Sequence, residues 1–67
     1  MNNLVYIGNL SPGAEFFYRG KHYRLYGHMI RNGTECVACY EAGTSGNRIL
    51  KFMDPWVIVK EVRYAWN

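Results

Sequence analysis

Apolar and polar residues in this chain alternate in short runs, and no stretch repeats its apolar positions with the period of a helix. β-Branched and aromatic residues fill the intervals between closely spaced glycines, which is the signature of short strands joined by tight turns. The pattern predicts strands over residues 4–7, 14–19, 22–30, 35–41, 48–53 and 57–64. Arg31-Asn32-Gly33-Thr34 carries the Asn-Gly pair that a type I′ hairpin favours, because both central residues need positive φ. Gly20-Lys21 fits a type II′ hairpin with glycine first, and Ser11-Pro12-Gly13 has type II chemistry. Residues 42–47, AGTSGN, read as a loop. Asp54-Pro55-Trp56 should interrupt the chain before the last strand, since proline cannot donate to a central ladder.

The two hairpins set a register. A loop at Gly20-Lys21 places Arg19 opposite His22, Tyr18 opposite Tyr23 and Phe16 opposite Leu25; a loop at Asn32-Gly33 places Met29 opposite Cys36, Gly27 opposite Ala38 and Leu25 opposite Tyr40. One face then collects Ala14, Phe16, Tyr18, Tyr23, Leu25, Gly27, Met29, Cys36, Ala38 and Tyr40, the expected core. The other collects Glu15, Phe17, Arg19, His22, Arg24, Tyr26, His28, Glu35, Val37, Cys39 and Glu41, with every charge of these strands. Gly27 and Ala38, small and mid-sheet, allow a sharp bend or the close approach of another backbone. The expected fold is all-β: a small, strongly curved antiparallel barrel of five to six short strands, one domain over residues 1–67.

From Ala14 to Val62 this arrangement resembles the Src-homology-three and Tudor group of small five-stranded barrels, with MDPWVIV in place of the short helical turn before their last strand. The resemblance is one of topology. Neither the proline-peptide site of the first family nor the aromatic cage of the second is matched residue by residue, so it implies a fold and no function.

Composition narrows the picture. A domain of 67 residues is marginal, because burial and ordering entropy nearly cancel at this size. Its resource is eleven large rings, six Tyr, three Phe and two Trp, and a hydrophobic fraction of 49% argues against disorder. The net charge of +3 is compatible with an anionic partner but well short of a DNA-condensing protein. No run reaches the length of a membrane span, and the opening MNNLVYIGNLSPGA lacks a basic n-region and a long apolar run. A cytoplasmic location is therefore expected, and Asn9-Leu10-Ser11 and Asn32-Gly33-Thr34 read as turns rather than glycosylation sites. A short chain opening on Met1 suits the compact genomes of phages and mobile elements.

Candidate chemistry is sparse. Cys36-x-x-Cys39 has a zinc spacing, but residues three apart on a strand face opposite ways, so no metal is expected. The register makes Cys36 the buried thiol and Cys39 the exposed one. His22 and His28 lack acid–base partners, and no glycine-rich loop opens a helix to hold a cofactor phosphate. The sharpest feature is the basic, aromatic outer patch of Phe17, Arg19, His22, Arg24, Tyr26 and His28. Rings interleaved with guanidinium groups suit single-stranded nucleic acid, and the same patch suits a protein partner, diluted as its charge is by Glu15, Glu35 and Glu41. The bland alternative pairs Phe17 with Arg24 and covers the patch with residues 4–7 or 65–67. The chain is thus expected to be a binding module without catalysis or cofactor. A free sheet edge at residues 4–7 or 57–64 would allow a homodimer.

Overall fold

The computed structural model describes residues 3–43 and 48–62. Six strands form one antiparallel sheet: β1 (Asn3–Tyr6), β2 (Glu15–Tyr18), β3 (Lys21–Arg31), β4 (Thr34–Glu41), β5 (Lys51–Met53) and β6 (Ile58–Glu61), with a short 3-10 turn at Ile7–Asn9. The spatial order is β1-β6-β2-β3-β4-β5, so β6 lies between β1 and β2. The sheet has two edges, β1 and β5, and is not closed into a barrel. No helix among the described residues is long and apolar enough to cross a membrane.

The Asn32-Gly33 turn forms as expected, with φ of 53° and 78° at its two central residues. The first hairpin differs. Its loop is Arg19-Gly20, with φ of 52° and 78°, a type I′ geometry in place of the II′ turn expected at Gly20-Lys21. Phe16 therefore faces Tyr23, Phe17 faces His22 and Glu15 faces Arg24. Left-handed backbone costs an arginine about 1 kcal/mol. Two contacts offset that: the Phe16 and Tyr23 rings stack in the core at 5.7 Å, and Glu15 meets Arg24. The shift moves each pair by two residues, so it leaves the faces of β2 and of β3 up to Leu25 as expected.

The second hairpin keeps its expected register from Arg31–Thr34 to Gly27–Ala38, and then slips. Tyr26 is an extra residue, so Leu25 faces Cys39 and Arg24 faces Tyr40. This bulge inverts the expected faces of β4 and the distal half of β3. Val37 and Cys39 enter the core and His28 turns to their side, while Gly27, Met29, Cys36, Ala38 and Tyr40 belong to the outer side. The irregularity in the eleven-residue β3 is that bulge; no backbone approaches closely at Gly27, where an added Cβ would meet nothing within 4 Å.

The core comprises Ile7, Leu10, Phe16, Tyr23, Leu25, Val37, Cys39 and Val59, flanked by Val5, Ala14, Tyr18, Met53 and Val57. Ile7 and Leu10 come from the 3-10 turn and the residue after it, and fill the concave side of the sheet. Their position is fixed by two backbone bonds, Ile7 N–H to the Val57 carbonyl and Gly8 N–H to the Pro55 carbonyl, both 2.8 Å. A Cβ on Gly8 would lie 2.8 Å from Pro55, so only glycine permits this approach.

Candidate functional site

On the convex side the ladders align side chains in rows across strands. Leu4, Lys60, Phe17 and His22 are successive partners across β1, β6, β2 and β3. A neighbouring row runs Glu15, Arg24, Tyr40, and another pairs Tyr6 with Ile58. The strand alternation that hides Phe16 and Val59 turns Phe17, Ile58 and Lys60 outward.

Three of the six residues expected to form a patch meet here. Phe17 stacks on His22 with ring centroids 4.8 Å apart. Arg24 Nη2 donates to Glu15 Oε2 at 2.8 Å, and this bond, with the carboxylate's charge, pushes the guanidinium pKa further up. His22 Nε2 lies 2.8 Å from Glu15 Oε1, a close contact in which the nitrogen has no aligned hydrogen-bond partner. Glu15 is thus the hub of this half of the face: it holds Arg24 and touches His22.

The other three are placed differently. Arg19 sits in the hairpin turn with its guanidinium 5.3 Å from the Tyr18 ring centre, and with Phe17, Gly20 and Lys60 it borders an open cleft of about 470 Å³. Tyr26 stands exposed at the bulge. His28, expected on the outer face, pairs with core-side Val37 and its Nε2–H donates to the Leu10 carbonyl at 2.7 Å, so the bulge removes it from the patch. Phe17 pairs with His22, not Arg24, and residues 4–6 lie in the sheet as an edge strand rather than across the face. Residues 65–67 lie outside the described residues.

Sequence reasoning missed the apolar half of this surface. Leu4 (71% exposed), Tyr6 (52%), Ile58 (56%) and Phe17 (40%) share the convex side of β1, β6 and β2. Trp56, 64% exposed in the turn before β6, shares a shallow hollow with Tyr6 and Pro55. The alternation in NLVY and IVKE carried a signal for this, but only the long-range β1–β6–β2 pairing joins the two segments.

Elsewhere, rings and cations are paired within the fold. The Arg31 guanidinium lies 3.9 Å from the Phe52 ring centre and that of Arg48 4.7 Å from Tyr40, while Lys51 Nζ donates to the Tyr23 hydroxyl at 3.2 Å. Cys39 is buried and Cys36 half-buried, the reverse of the expected order. Burial pushes the Cys39 thiol pKa up, which disfavours the thiolate needed for reactivity. Among the described residues no three His, Cys, Asp or Glu side chains gather into a metal-binding group. The chain matches no protein-family description, no curated protein and no solved structure.

Proposed function

We propose that this chain is a binding module without catalysis or cofactor, acting in the cytoplasm, whose convex sheet face docks on another protein. The scaffold in this reading is a small barrel of the expected kind, opened between β1 and β5. The observation that carries the reading is the exposure of Leu4, Tyr6, Ile58 and Phe17 on one face around Lys60, with Trp56 beside Tyr6. Apolar patches of that kind, rimmed by polar groups, are rare on monomers and mark interaction sites. Charge points the same way: Glu15 already occupies Arg24 and contacts His22, so little free positive potential remains on that half. The test is capture from lysate with tagged wild type and an Ile58→Asp variant, each with and without nuclease and at low and high salt. A partner held by the wild type through nuclease and high salt, and lost by the variant, is expected. Capture that vanishes with nuclease would refute the protein reading.

A second reading, single-stranded nucleic acid, keeps one observation in its favour. The cleft bordered by Phe17, Arg19, Gly20 and Lys60 offers a ring and two cations, with no carboxylate among the described residues that line it. Titration of a short fluorescent strand at several salt concentrations tests it: Lys60→Glu should weaken binding and flatten the salt dependence by about one to two units of slope. No binding by the wild type at low salt would end this reading.

A further inference from the structure

The two edges of the sheet differ in how they are protected. β5 is three residues long, begins with Lys51 and is followed by Asp54-Pro55, features that discourage another strand from pairing. β1 reads Asn-Leu-Val-Tyr, with no charge, proline or bulge. The bond from Ile7 N–H to the Val57 carbonyl sets the parity of its ladder. Asn3 and Val5 therefore turn their N–H and C=O groups toward β6, and Leu4 and Tyr6 turn theirs toward the free edge. Two donors and two acceptors are directed there, without a strand partner among the described residues, the Tyr6 carbonyl also serving as the N-cap acceptor of the 3-10 turn.

The geometry points to a second copy of this chain as the occupant of that edge, paired antiparallel through β1 about a two-fold axis at Val5. In this register Leu4 of each copy lies opposite Tyr6 of the other, and each such pair exchanges both of its N–H···O bonds. All four outward groups of each strand are then paired, the Tyr6 carbonyl through its second lone pair, a self-complementarity that an isologous contact requires. Leu4 and Tyr6, both exposed in the single chain, become cross-strand neighbours on the same convex face. The uncharged edge sets no like charges against one another, although each chain carries +3 overall. Each copy thereby adds its own Leu4 and Tyr6 to its neighbour's exposed face. This inference concerns the edge and holds whatever the face itself binds.

Tyr6→Pro is the discriminating variant. Tyr6 has φ of −73°, close to the value proline fixes, and its N–H is one of the outward pair, so proline spares the β1–β6 ladder. Sedimentation of the purified chain from micromolar to millimolar concentration should show a monomer–dimer equilibrium. Tyr6→Pro should weaken it roughly tenfold or more, because each dimer loses two bonds, and Tyr6→Ala, which keeps the amide, should weaken it less. A wild type that stays monomeric throughout, or a dimer affected equally by the two substitutions or by neither, overturns the proposal. Should the proline variant fail to fold, amide exchange in the wild type decides. Leu4 and Tyr6 amides must become slower to exchange as concentration rises, and unchanged rates refute the pairing. Because only the purified chain is used, failure here is distinct from failure of the partner capture with Ile58→Asp.

Discussion

The bulge at Tyr26 makes a claim about two thiols that a chemical probe can check directly. Cys39 lies fully buried opposite Leu25, and burial raises its thiol pKa, with only partial relief from the charge of Lys51. Cys36 is half-buried on the other side of β4, beside a cleft of about 450 Å³ that it shares with Tyr18 and Phe52. An aromatic disulfide reagent reaches Cys36 in the native state but reaches Cys39 only when the sheet opens. Native domains have about 0.05–0.15 kcal/mol of stability per residue, or roughly 3–10 kcal/mol for a chain of 67 residues. At one decade per 1.4 kcal/mol, even the low end slows Cys39 by about a hundredfold if core opening approaches global unfolding. The raised pKa slows it further by lowering the thiolate fraction. The assay is timed labelling in native buffer, acid quench, and peptide fragmentation to locate the label. In denaturant the two rates should converge. If Cys39 is labelled first in native buffer, there is no bulge and β4 faces the other way.

Phe16→Ala should cost about 3–5 kcal/mol, since the ring is fully buried and stacked on Tyr23, whereas Phe17→Ala should cost about 1 kcal/mol. Urea midpoints with unchanged slopes measure both, and the opposite ranking would shift β2 by one residue. Gly8→Ala forces Pro55 to move and should lower stability by about 1–3 kcal/mol, while Gly27→Ala, with open space at its Cβ, should be neutral or slightly stabilising. Equal thermal shifts for these two variants would contradict the close approach at Gly8.

Local chemistry made most of the strands legible. Asn-Gly fixed one turn because few other pairs tolerate two positive φ values, and Phe16 and Tyr23 were placed inward because the charges of their strands all fell on the other side. The bulge was not legible. In Glu-Cys-Val-Ala-Cys-Tyr-Glu both alternating sets are apolar, Cys36, Ala38 and Tyr40 against Val37 and Cys39, so periodicity cannot say which set is buried. Ala38 and Tyr40 are themselves buried on the outer side, where Phe52 pairs with Ala38 and Arg48 lies over Tyr40. For the site, residues on the β2–β3 hairpin were found together because they are close in sequence. Leu4, Ile58 and Lys60 were not, because their neighbourhood depends on pairing between segments more than fifty residues apart.

The strand order also bears on how the molecule comes into being. β6 is synthesised after the other five strands, yet its place is between β1 and β2. Until it leaves the ribosome, Val59 is missing from the interior and Ile7 has no Val57 carbonyl to bond. The β2–β3–β4 meander can assemble as it emerges, but β1 must wait, carrying Leu4 and Val5 with neither side paired. At translation speeds of about 5–20 residues per second this wait lasts seconds, long compared with the microseconds in which a hairpin closes. Final assembly therefore waits for β6, and a chain cut short before β6 loses the anchoring of its N-terminal strand as well as its last one.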